Sequence, residues 1–74
     1  MSKPPVLKPR ELVKALEKLG FVNTRRKGSH FFFKHADGRT TVIPMHKGKT
    51  IGLGLMRSIF ADIKMSAEEF EKYL

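Results

Sequence analysis

The segment Ser29 to Met45 constrains the fold more than any other. It reads SHFFFKHADGRTTVIPM, an aromatic run and a β-branched run with Asp-Gly between them. Asp-Gly in that setting is the strongest short-range hairpin signal, most often a two-residue type I′ turn. A two-residue turn would set Phe33 opposite Val42, Phe32 opposite Ile43 and Lys34 opposite Thr41. The period of two along a strand puts Phe31, Phe33 and His35 on one face and His30, Phe32 and Lys34 on the other. Helices can cover only one face of a small sheet. Phe31, Phe33 and Val42 are expected on the covered face, which leaves His30, Phe32 and Lys34 towards solvent.

The rest of the chain supplies a third strand and the covering helices. Leu12, Ala15, Leu16 and Leu19 have helical spacing, with Pro9 suited to the first turn and Gly20 to a left-handed cap on which Phe21 folds back. Phe21 to Arg26 is rich in β-branched and aromatic residues and reads as the first strand. Residues 45–54 form a basic, glycine-punctuated loop. Leu55, Met56, Ile59, Phe60 and Ile63 mark a second helix over about 52–64. Ser66-Ala67-Glu68-Glu69 reads as a capping box opening a short third helix that can bury Phe70, Tyr73 and Leu74. The expected order is α-β-β-β-α-α. Pro4, Pro5 and Pro9 suggest a loose leader over residues 1–9, with a single domain from 10 to 74.

Size and composition bound the chemistry. A chain of 74 residues is one small domain with a shallow surface site and no room for a bulky cofactor. There is no Cys, which excludes disulfides, thiolate metal sites and a Cys nucleophile. With no signal-like or membrane-spanning apolar run, a cytoplasmic protein is expected. The charge is uneven: residues 1–64 hold 14 Lys or Arg against four Asp or Glu, whereas residues 65–74 are net acidic. A body this basic attracts polyanions, RNA or DNA above all.

The stretch RRKGSHFFFKHADG, residues 25–38, gathers the chemical candidates. Three histidines, His30, His35 and His46, with Asp37 engaged by a turn, make a poor metal set. Ser29 and His30 are adjacent on a strand and point apart, which is poor geometry for a nucleophile and its base. Acid–base chemistry on a phosphodiester fits better. Imidazole gains and loses a proton near neutrality, and RNA carries its own nucleophile in the 2′-hydroxyl. His30 beside Arg25, Arg26, Lys27 and Lys34 would serve that chemistry; otherwise it is a polar residue on a wet face. Phe32 either stacks a base or simply pairs across strands. Gly28 reads as a bend that lets a backbone approach, and Lys47 and Lys49 extend the basic surface. His46 is a candidate second acid–base group or a structural residue.

The chain resembles the HicA (YcfA-like) family of mRNA interferase toxins. The matching pieces are LVKALEKLGF (12–21), RRKGSHFFFKHADGR (25–39), VIPMH (42–46), GLMRSIF (54–60) and the tail SAEEFEKYL. The resemblance implies an α+β fold like the double-stranded-RNA-binding domain: α-β-β-β-α with a three-stranded antiparallel sheet, helices on one face, and a short extra C-terminal helix. It implies metal-independent cleavage of mRNA with no cofactor, His30 of Gly28-Ser29-His30 as the catalytic residue, and a HicB antitoxin as partner. One departure is Leu55, where the family often has a hydroxyl residue. Two rival readings are a non-catalytic RNA-binding module of the same fold and a domain whose basic face serves only an acidic protein.

Overall fold

A computed structural model describes residues 6–46 and 48–74. The elements are α1 (Pro9–Leu19), β1 (Val22–Lys27), β2 (His30–Lys34), β3 (Thr40–Pro44), α2 (Leu53–Ile63) and α3 (Ala67–Glu71). The strands form one antiparallel sheet in the order β1-β2-β3. The α+β, double-stranded-RNA-binding-domain-like order expected from the sequence is the order found.

Helix α1 starts where the Lys8 N–H donates to Glu11 Oε1 at 2.9 Å. It ends at Gly20, whose φ of +102° lets its N–H reach the Glu17 carbonyl while the Phe21 N–H reaches that of Leu16. Leu7 and Pro9, expected in a loose leader over residues 1–9, belong to the folded domain. Leu7 is buried in the core, its carbonyl accepts the Ile51 N–H at 2.7 Å, and Pro9 is buried at the helix start. A domain this small draws on every apolar residue within reach of its core. Residues 1–5 lie outside the described residues.

The β2–β3 hairpin departs from expectation by one residue. A type I′ turn needs positive φ at both central positions. Here only Gly38 has it, at +99°, while Asp37 does not. The Gly38 N–H donates to the His35 carbonyl at 2.9 Å, and the His35 N–H donates to the Arg39 carbonyl at 2.8 Å. The loop is therefore Ala36-Asp37-Gly38. Phe31 faces Ile43, Phe32 faces Val42, and Phe33 faces Thr41. A one-residue shift exchanges the faces of the partner strand. Ile43 and Thr41 are buried under the helices, and Val42 joins the open face instead. The buried Thr41 hydroxyl donates to Asp62 Oδ2 at 2.9 Å.

The core lies between the sheet and α1 and α2. Leu12, Leu16, Phe33, Ile43, Met56, Ile59 and Ile63 are fully enclosed. Removing the Phe33 ring would cost about 3–5 kcal/mol. Leu55 stands at the rim of the α2 stripe and is 37% exposed, so it is not a core residue. The Ser66 box forms both bonds, each at 3.1 Å. It seats Phe70 against Phe60 with ring centroids 5.2 Å apart. Tyr73 and Leu74, past the end of α3, stay exposed. Among the described residues no helix is long and apolar enough to cross a membrane.

Candidate active site

The uncovered face of the sheet holds the candidate site. Gly28 and Ser29 form the two-residue turn joining β1 to β2. Gly28, at φ +59°, is the only one of the pair with positive φ, the pattern of a type II′ turn. Gly28 is thus a hairpin corner rather than a bend within a strand. His30 is the first residue of β2, exposed, with Lys27 opposite it on β1 and Pro44 on β3. The Met45 N–H donates to the Ser29 carbonyl at 2.7 Å, so Ser29–Met45 is a hydrogen-bonded pair. Pairs alternate along an antiparallel ladder, so His30–Pro44, Phe32–Val42 and Lys34–Thr40 are the non-hydrogen-bonded ones, with Cα atoms only about 4.5 Å apart. Pro44, which has no N–H, therefore forfeits no ladder bond beside His30.

The cations divide between the two faces. Arg25 lies over Phe32, 4.9 Å from the ring centroid, on the side of His30. Arg26 lies over Phe31 on the opposite side, at 4.5 Å, and its Nε donates to Asn23 Oδ1 at 3.2 Å. The open face thus carries Arg25, Lys27 and Lys34 with His30, but not Arg26. Phe32 is half-buried beneath a guanidinium rather than bare. A guanidinium plane can itself stack a base.

The loop after β3 leads elsewhere. His46 and Lys49 line a groove of about 350 Å³ with Met45, Gly48 and the start of α1 at Lys8, Pro9, Arg10 and Glu11. Because His30 pairs with Pro44, His46 stands two residues beyond its partner. Among the described residues no hydrogen bond joins the two rings. Lys47 lies outside the described residues. Leu55 is the third residue of α2, whose N-cap is Gly52, so a hydroxyl at 55 would not occupy the cap itself. Among the described residues no three His, Cys, Asp or Glu side chains converge as a metal site would need.

Two features of this region were not foreseen. One is a β-bulge in β1 at Thr24, where Asn23 faces Phe33 and Arg25 faces Phe32. The Asn23 amide Nδ2 donates to the Arg25 and Phe32 carbonyls at 3.2 and 3.0 Å. The other is the role of His35. Its Nε2–H donates to the Leu19 carbonyl at 3.2 Å, its Nδ1 accepts the Asp37 N–H at 3.1 Å, and its ring meets Phe21 edge-on at 5.1 Å. The same Nδ1 lies 3.0 Å from Asp37 Oδ1, the contact a protonated ring would make. Arg39 completes this end. Its backbone N–H and guanidinium hold the Asp37 carboxyl below its ordinary value of 3.8, and its Nη1 donates to the Ile63 carbonyl at 2.6 Å. The buried end of a helix needs partners for its free carbonyls. That need was the one available signal for His35, because Leu19 ends α1 directly above it.

No curated protein matches the chain. The family model described as HicA toxin of bacterial toxin-antitoxin matches residues 9–65, from the start of α1 past the end of α2 and so across the whole open face. The chain therefore belongs to the HicA toxin family of bacterial toxin–antitoxin systems.

Proposed function

We propose that this toxin is an endoribonuclease that cleaves mRNA at the open face of its sheet, with His30 as the proton-transfer group. The observation that carries the reading is the position of His30: exposed at a hairpin corner, with Lys27 directly opposite and Arg25 and Lys34 on the same face. A ring nitrogen of His30 takes the proton of a 2′-hydroxyl. The 2′-oxygen attacks the adjacent phosphorus, and the bond from phosphorus to the 5′-oxygen breaks. A second group or water returns a proton to that oxygen, leaving a 2′,3′-cyclic phosphate and a 5′-hydroxyl. His46 is one candidate for that second group. The cations offset charge that builds on the phosphate oxygens. The nucleophile belongs to the substrate, so the reaction as written calls for no metal or cofactor.

Arg25, Lys27, Gly28, Ser29 and Lys34 form the phosphate-binding surface in this reading, with Phe32 beneath Arg25 as the base platform. Lys49 extends it into the neighbouring groove. The partner is a HicB-type antitoxin that presents acidic groups to this face, and the setting is the cytoplasm, where mRNA is found. The test is RNA cleavage by purified protein in excess EDTA, with parent and His30→Ala side by side. Cleavage by the parent and none by a folded variant is the expected result. Equal cleavage by both would remove His30 from the mechanism. Salt-dependent RNA binding without cleavage in either would make the chain a binding module.

A further inference from the structure

We infer that Asn23 is a positioning residue: its side chain fixes where the surplus residue of β1 sits, and thereby decides whether Arg25 shares a face with His30. The functional consequence rests on the ribonuclease reading; the placement of the bulge does not. Both ends of the β1–β2 pair are pinned. At one end the Gly28-Ser29 turn sets Lys27 opposite His30. At the other, the α1 cap and the bond from His35 to the Leu19 carbonyl hold Val22 opposite Lys34 and Asn23 opposite Phe33. Between the pins, Thr24, Arg25 and Arg26 must match only Phe32 and Phe31. One of the three has to bulge.

Each choice gives a different face. If Arg25 bulged, Thr24 would face Phe32. If Arg26 bulged, Thr24 would face Phe32 and Arg25 would face Phe31, on the helix side. Only a bulge at Thr24 sets Arg25 opposite Phe32, beside His30. Bulges commonly re-aim side chains next to functional sites. Here the sequence holds the bulge in place with Asn23. Its Nδ2 spans Thr24 to reach the Arg25 carbonyl and crosses to the Phe32 carbonyl, while its Oδ1 accepts from Arg26 Nε on the opposite face. The Thr24 hydroxyl adds a longer bond to the same Phe32 carbonyl, at 3.4 Å. One amide thus directs both arginines, Arg25 towards the site and Arg26 away from it.

The test is solution NMR of the full chain, reading contacts between the Arg25 side chain and the rings of Phe32 and Phe31. Parent protein is expected to show Arg25–Phe32 contacts. Asn23→Ala, and Asn23→Asp, which keeps the shape but loses both donors, are expected to lose them in part to Phe31. Deleting Thr24 from Asn23→Ala leaves two residues facing two, so it is expected to restore the Arg25–Phe32 contact. A second loss that repairs the first is not what general weakening of the hairpin would give. Unchanged Arg25–Phe32 contacts in both Asn23 variants, or no recovery on deletion, would overturn the inference. RNA titration forms a separate arm. Asn23→Ala is expected to flatten the slope of log affinity against log salt by roughly 0.7, one phosphate contact on a single strand, and the deletion to restore it. Parent protein that binds no RNA would sink the ribonuclease reading and leave the NMR contacts to decide on Asn23.

Discussion

At one end of the sheet, the Ala36–Gly38 loop is fastened to both long helices. His35 bonds the last carbonyl of α1, Arg39 bonds the last carbonyl of α2, and Thr41 bonds Asp62. At the other end, the Gly28–Ser29 turn carries Lys27 and His30, both exposed, and no residue of β1 is buried. The two ends carry the same kinds of side chain, His with Lys or Arg, in opposite settings. Where a ring and a cation meet free helix carbonyls, they become part of the fold. Where helices do not reach, the same groups stay available to an outside anion. A histidine is therefore classified by which carbonyls lie near it, not by the basic residues beside it in sequence.

The contrast can be broken by exchanging losses between the ends. The largest expected effect is on turnover. His30→Ala should lower RNA cleavage by about 10²–10⁴-fold and leave the thermal midpoint almost unmoved, as a surface change does. A large drop in midpoint would erase the distinction. His35→Ala should do the reverse. It removes the partner of the Leu19 carbonyl and should cost about 1–3 kcal/mol of stability in urea unfolding, while cleavage per folded molecule persists.

Gly20→Ala tests the same end from the helix side. At φ +102° an Ala is strained, and its Cβ would sit 3.2 Å from His35 Nε2. A loss of about 1–2 kcal/mol is expected from the backbone conformation alone, and more if His35 cannot give way; a neutral result would mean that the cap tolerates a side chain at position 20. The smallest effect concerns acid. The Arg39 N–H and guanidinium hold Asp37 below its ordinary 3.8. A depressed carboxyl stabilises above its unfolded value, and that contribution fades as pH falls through the folded value. Asp37→Asn should therefore flatten the fall in thermal midpoint below about pH 4. An unchanged acid limb would show that the Asp37–Arg39 pair contributes nothing to folding.

The sequence made the fold legible where the signal was contained within one element. Alternation along β2 separates His30, Phe32 and Lys34 from Phe31, Phe33 and His35 without reference to any partner. The Gly20 and Ser66 caps are local as well. What failed depended on pairing. Asp-Gly suits both a type I′ turn and a three-residue loop ending in a left-handed Gly. The choice between them moved Val42 out and Ile43 in. Arg26 was grouped with His30 without a face, because the face of each β1 residue depends on a bulge that VNTRRK does not advertise with a Gly. Leu7 carries no local signal because its partner, Ile51, lies beyond all three strands in the chain. Of the candidate site, the shared face of His30, Lys27 and Lys34 was readable from the sequence, whereas which of Arg25 and Arg26 joins them was not.

The sheet order β1-β2-β3 follows the chain, and both strand junctions are short hairpins. Strand pairing thus needs little loop closure, which favours rapid folding. The bond between the Leu7 carbonyl and the Ile51 N–H closes by far the longer loop. The hairpins should form before that clasp, with φ-values near zero at Leu7 and higher ones at Phe33. Equal values at the two positions would contradict that order. On this pathway the ribbon that bears His30 takes shape before the segment leading into α1 is joined to the segment leading into α2.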